Sequence, residues 1–242
     1  DYRLTDARAD PPGLTEHLYT EKLVRLPHTF LCYTPPEKSP AVEKGGNMDS
    51  GRIIFGSCNN RAKITEMVIK AWAKILSTVP DSGLILKSGS FADAATRKVL
   101  IDLFVKNGVG SERIELVSHI PSMFDHLQLY NRIDIALDTF PYNGATTTCD
   151  ALWMGVPVIT LAGREHRSRV GASLLSQVGC EELIAESVED YVQKGINLAV
   201  DKERLELIHS GLRSRMIEAP LMDAYLFIRS LERVYRWMFK RS

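Results

Sequence analysis

From residue 52 onward, short apolar runs alternate with longer segments of helical periodicity. That alternation restricts the fold more than any other feature. Residues 52–55 (RIIF) form a run of strand type, bounded by a turn-prone GSCNN segment. Over 65–79, Val68, Ala71, Trp72, Ile75, Leu76 and Val79 recur at helical spacing. The same pairing repeats along the chain. Strands are expected at 84–86, 114–117, 133–137, 156–161 and 182–185. Helices are expected at 93–107, 124–131, 146–154, 168–178, 189–199, 202–216 and 222–239. Gly108, Gly155 and Gly179 suit helix ends, where the left-handed backbone carries no Cβ penalty.

Strands of four to six residues joined by helices imply βαβ units. The expected class is therefore α/β, a Rossmann-like doubly wound parallel sheet. In such sheets ligands sit beyond the carboxyl ends of the strands. The loops to search are 56–64, 87–92, 118–126, 138–147 and 162–168. No G-x-G-x-x-G fingerprint, Walker A loop, G-x-S-x-G elbow, H-E-x-x-H or EF-hand loop is present, so none of those chemistries is indicated.

The first part of the chain is less regular. Residues 1–33 read as a lead-in segment with a helix expected over 16–22, and 34–50 (TPPEKSPAVEKGGNMDS) as a proline-rich linker. Residues 51–242 form the expected lobe. The start at Asp1 is abrupt and lacks methionine, which reads as a piece of a longer protein. Lys+Arg and Asp+Glu both number 30. A balanced charge argues against a nucleic-acid partner and against a polybasic membrane anchor. No run of 18 apolar residues is present. The four cysteines, Cys32, Cys58, Cys149 and Cys180, have no metal-ligand or CxxC spacing. A reducing, cytoplasmic compartment is expected.

The stretch over 133–161, IDIALDTFPYNGATTTCDALWMGVPVITL, carries most of the chemistry. A buried strand ends at Asp138, a turn with Pro141, Asn143 and Gly144 follows, and Thr146, Thr147 and Thr148 open a helix. Unpaired N–H groups and the positive dipole end make such a start an anion site. Gly144 leaves room for a phosphate to approach the backbone. Asp150 lies one turn further in on the face of Thr146, where a carboxylate can accept from a vicinal diol such as a ribose. Phosphates at the tip and a sugar one turn later describe a nucleoside diphosphate along a helix N-terminus. Simple capping by the threonines is the competing explanation. Lys63 precedes the helix of 65–79, where its charge opposes the dipole. An anion at the strand ends accounts for it better, and a solvated lysine is the alternative. His126 can stack on a base or meet a phosphate, or be an ordinary packed histidine. His119 is a weaker candidate of the same kind. Residues 164–169 read as a charged loop, or as a segment facing the diphosphate or an acceptor.

The run DIALDTFPYNGATTTCDALWMGVPVITLAG resembles the donor-binding segment of O-linked N-acetylglucosamine transferases, in particular bacterial members linked to TPR repeats. The resemblance extends to HTFLCYTPP, FGSCNNRAKIT, SRVGASLLSQVGCEELIA and MDAYLFIRSLERVYRWMF. It implies the carboxyl-terminal lobe of a GT-B glycosyltransferase. That enzyme would be inverting, would need no metal or other cofactor, and would use UDP-GlcNAc or a related UDP-sugar on protein Ser or Thr hydroxyls. By matching position it implies that Lys63 contacts the diphosphate as the catalytic group and that Asn60 lies near it. Thr146 and Thr147 would bind phosphates, Asp150 the ribose and His126 the uridine, with Asn143, Gly144 and Thr148 completing the donor site. The loop around His126, PSMFDHLQL, lacks a Lys and an Arg that some members carry there. The family's first lobe and its TPR region, which recruits the protein acceptor, are not in this chain, so the lobe holds half of a two-lobe active site. A GT-B transferase or epimerase with another acceptor, or a non-catalytic nucleotide-sugar module, are the alternatives.

Overall fold

Two parallel strands, β1 (Tyr2–Asp6) and β2 (Lys22–Leu26), come first and pair in register from Tyr2 with Lys22 to Asp6 with Leu26. This is the computed structural model of the chain, and it describes residues 1–43 and 52–241. Of the linker expected over 34–50, residues 44–50 lie outside the described residues. The helix expected over 16–22 is one 3-10 turn, Glu16–Leu18, and Lys22 belongs to β2. Pairing with β1 outweighs the weak helical pattern there. Nothing local in YRLTD signals β1, because its buried residues are Thr5 and Asp6 rather than an apolar run.

Six further strands alternate with helices. They are β3 (Ile54–Ser57), β4 (Gly83–Lys87), β5 (Ile114–Val117), β6 (Ile135–Leu137), β7 (Val158–Leu161) and β8 (Ile184–Ala185). The helices are α1 (Glu66–Thr78), α2 (Ala94–Lys106), α3 (Met123–Gln128), α4 (Thr146–Trp153), α5 (Val170–Gln177), α6 (Val188–Val200), α7 (Lys202–Glu218) and α8 (Ala224–Phe239). The strand order is β5-β4-β3-β6-β7-β8, all parallel. The expected α/β, Rossmann-like doubly wound sheet is thus the observed fold. The order reverses between β3 and β6, and the loops leaving those two strands diverge around a crevice.

The first of these strands runs two residues later than expected, because Gly56 and Ser57 continue the ladder opposite Ile85 and Leu86. A Cβ on Gly56 would lie 2.4 Å from Cδ1 of Ile133, so glycine is what lets Ile133 pack there. Phe55, Trp72, Leu84, Leu86, Ile135, Leu137 and Ile159 fill the sheet faces and are buried. Each contributes roughly 1.5–3 kcal/mol of transfer free energy. Gly108, Gly155 and Gly179 all have positive φ at helix ends, as expected. Thr65, Asp93, Ser122, Ser187, Asp201 and Asp223 each accept from a first-turn N–H of the helix they precede. Among the described residues, α4 and α5 start without such a cap. No helix of the described residues is long and apolar enough to cross a membrane.

Candidate functional site

Asp138, at the end of β6, organises the crevice. Its Oδ1 accepts from the Gly144 N–H at 2.7 Å, the Thr139 N–H at 2.8 Å and Asn59 Nδ2 at 3.3 Å. Its Oδ2 accepts from Thr160 Oγ1 at 2.8 Å. Tyr191 of α6 accepts from Trp72 Nε1 at 3.0 Å and donates to the Asp138 carbonyl at 2.8 Å. Core packing is thereby coupled to the turn that precedes α4. Burial pushes the Asp138 carboxyl up to about 6, against the pull of its donors and of Lys63. In the sequence Asp138 reads only as the end of a strand, and its role as a hub of the site comes from the tertiary structure.

Lys63 ends the 3-10 turn Arg61–Lys63 after β3. Its Nζ donates to the Asn143 carbonyl at 2.8 Å and stands 4.1 Å from the centroid of the Tyr142 ring. Burial pulls its ammonium below the usual lysine range, opposed by the charge of Asp138. The loop after β3 and the loop after β6 therefore meet at this ammonium. The first N–H groups of α4 have no partner within the helix, and the helix dipole leaves positive potential there. Thr147 Oγ1 donates to Asn59 Oδ1 at 3.2 Å, and Thr148 Oγ1 donates back to the Gly144 carbonyl at 3.2 Å. Gly144 has no spare space. A Cβ there would lie 2.4 Å from Thr147 Oγ1 and 3.0 Å from Asn59 Oδ1. Asn143 is buried, donates through Nδ2 to the Thr139 carbonyl and accepts from the Gly171 N–H.

The two asparagines after β3 differ in position. Asn60 is exposed, and its Oδ1 accepts from the Ala62 N–H at 2.9 Å, capping the 3-10 turn. Asn59 is the buried one, bridging Asp138 and Thr147. Asp150 is buried on α4 and accepts from the Tyr33 hydroxyl at 2.9 Å. Tyr33 was missed, because it is 117 positions away in sequence. His126 is also buried, with Nε2 3.6 Å from Asp150 Oδ2, an edge-on contact to Tyr130, and Nδ1 without a hydrogen bond. It thus lies beside the carboxylate expected to hold a sugar. His119 is exposed.

A cavity of about 630 Å³ opens beside Lys63, Asn143 and Ala145 and runs toward Phe30 and His166. Among the described residues, no group of three His, Cys, Asp or Glu side chains could hold a metal ion. A half-buried cationic group, free N–H donors and a neighbouring diol acceptor suit a diphosphate ester of a nucleoside.

Similarity to known proteins runs over all or nearly all of the chain. The probable UDP-N-acetylglucosamine–peptide N-acetylglucosaminyltransferase SPINDLY of Solanum lycopersicum is 44% identical over 241 residues, 100% of this chain and 26% of its own length. The probable enzyme of the same kind called SEC, from Arabidopsis thaliana, is 31% identical over 97% of this chain and 24% of its own length. The chain thus spans about a quarter of the length of the curated relatives it matches. A lysine-to-methionine mutant of the Thermobaculum terrenum O-GlcNAc transferase superposes with a TM-score of 0.92 at 37% identity, over 100% of this chain and 45% of that one. Sucrose-phosphate synthase of Thermosynechococcus elongatus shares the fold, with a TM-score of 0.65 at 16% identity, over 100% of this chain and 59% of that one. The lobe is of the GT-B type. The model of glycosyl transferase family 41 matches residues 43–231, and on that match this chain belongs to family 41.

Proposed function

We propose that the chain is the donor-binding lobe of an inverting glycosyltransferase that carries GlcNAc from UDP-GlcNAc to Ser or Thr hydroxyls of proteins. The observation that supports this most is the meeting of Lys63 with the uncapped tip of α4 at the reversal point of the sheet. When the anomeric carbon–oxygen bond breaks, negative charge grows on the departing diphosphate. Donors already aimed at that charge act on the transition state more than on the ground state. Lys63 and the N–H groups of Thr146 and Thr147 fill that role, and no metal is required. The Thr147 and Thr148 hydroxyls hold the tip in shape through Asn59 and Gly144. Asp150 accepts from the ribose hydroxyls, positioned by Tyr33 and with His126 at its side.

Family membership and the names of the relatives support the reaction and the class of acceptor. Residues 1–33 then belong with the preceding lobe and 34–50 with its linker, while a TPR region outside this chain recruits the acceptor protein in the cytoplasm. Calorimetry of UDP binding in the presence of EDTA tests the donor half of the reading. Binding without divalent metal is expected. A strict requirement for Mg²⁺ would overturn the metal-free arrangement, and absence of UDP binding would overturn the donor assignment.

A further inference from the structure

The cavity beside Lys63 has a second reactive-looking wall that the donor site does not use. Asp10, in the segment after β1, is fully buried. It accepts from Thr5 Oγ1, from the Tyr19 hydroxyl at 3.2 Å and from His166 Nδ1 at 2.7 Å. His166 sits in the loop between β7 and α5, and its ring packs edge-on against Phe30 at a centroid distance of 4.8 Å. A carboxylate that already accepts from Thr5 and Tyr19 needs a donor from the imidazole, so the proton sits on Nδ1. The Nε2 lone pair is then left over, and it makes no hydrogen bond to the described residues. His166, Lys63, Asn143, Tyr142, Tyr19 and Phe30 line one cavity of about 630 Å³. An imidazole held through Nδ1 by a buried carboxylate thus lines the same aromatic-walled space as Lys63 of the proposed leaving-group site.

We propose that His166 is the proton acceptor for the acceptor alcohol, with Asp10 as its positioning residue. The proposal rests on the glycosyl-transfer reading above. The alcohol O–H proton passes to His166 Nε2 as the oxygen bonds to the anomeric carbon. The bond from that carbon to the diphosphate oxygen breaks, and its electron pair leaves on the diphosphate. Asp10 stays ionised and holds the imidazolium that forms. Seven titratable groups of the described residues share the surroundings of the imidazole. Glu165 and Arg167 flank it in the loop and pair with each other at 2.7 Å, Arg3 and Tyr19 line the cavity from the lead-in segment, Asp10 binds Nδ1, and Lys63 and Tyr142 line the same cavity.

The test uses the longer natural protein with UDP-GlcNAc and a peptide acceptor. His166→Asn keeps an amide N–H for Asp10 and removes the proton acceptor. It is expected to lower kcat by roughly 10²–10⁴-fold, with UDP affinity within about threefold of wild type. The acid limb of the wild-type kcat profile should disappear. Asp10→Asn is expected to move that limb to lower pH, because the imidazolium loses its counter-charge. A His166→Asn enzyme with wild-type kcat and an unchanged acid limb would make the pair a mere clip for the lead-in segment and overturn the proposal. The wild-type profile decides the matter even if that variant does not fold, since a wild-type kcat profile with no acid limb overturns the role of His166. Either result leaves the donor reading intact. Failure of the wild-type protein to transfer at all would overturn the function proposed above, and this inference with it.

Discussion

The ammonium of Lys63 donates to the carbonyl of Asn143 at 2.8 Å, joining loops whose residues lie 80 positions apart. The backbone oxygen holds the lysine at the mouth of the crevice in the absence of any carboxylate within bonding distance of Nζ among the described residues. Lys63→Met keeps much of the apolar stem and removes the charge. In the longer natural protein it is expected to cut turnover by roughly 10²–10³-fold. Steady-state transfer assays check this number. Near-normal turnover would remove Lys63 from the mechanism.

Asn59 and Asn60 are expected to separate sharply under alanine substitution. Asn59→Ala takes a donor from buried Asp138 and an acceptor from Thr147. A loss of about 1–3 kcal/mol in urea unfolding is expected, together with weaker UDP binding. Asn60→Ala loses only the cap of a three-residue turn, typically worth about 1 kcal/mol. Equal effects would mean that the bridge through Asn59 is not what shapes the tip.

Gly144→Ala tests whether the approach to the α4 tip is filled to its limit. The added Cβ meets Thr147 Oγ1, and turning that hydroxyl away breaks its bond to Asn59. UDP affinity measured by calorimetry should fall about tenfold or more, the equivalent of one broken charge-assisted contact. Unchanged affinity would place the phosphates away from this helix.

Asp150→Ala is expected to weaken UDP binding about tenfold, by loss of a charged hydrogen-bond acceptor. Tyr33→Phe should weaken it less, since it removes only the hydroxyl that positions Asp150. A deoxyribose analogue lacking the diol should lose little further affinity in Asp150→Ala. If the analogue and the variant lose affinity additively, the carboxylate does not hold the diol.

Asp134 predicts a pH effect on stability. Its Oδ2 accepts from the Ile54 N–H at 2.7 Å, Oδ1 is buried without a hydrogen bond, and burial pushes its carboxyl up to about 6. The folded value lies above the ordinary aspartate value of 3.8, so between these two pH values the native state binds more protons than the unfolded state. Stability from this group is therefore present at low pH and is lost as pH rises through about 6. Asp134→Asn does not titrate. Its melting temperature relative to wild type should be higher at pH 8 than at pH 4. A difference that is flat with pH would mean that Asp134 ionises normally in the folded state.

What could be read along the chain was whatever depends on near neighbours. The strand–helix alternation and the left-handed glycines Gly108, Gly155 and Gly179 follow from propensity and periodicity over a few residues. So does the start of α4 at Thr146, which pointed to the crevice. Tertiary structure decided the rest. The pattern GSCNN offers two amides, and only the turn after β3 sends Asn59 inward and leaves Asn60 at a cap. Strand β1 exists because β2 pairs with it, not because its own residues favour a strand. Tyr33 reaches Asp150 across 117 positions, and His166 reaches Asp10 across 156. Such pairs leave no periodic trace, because a hydrogen bond between buried polar groups is set by where the packed core brings two backbones, and not by the residues beside either one.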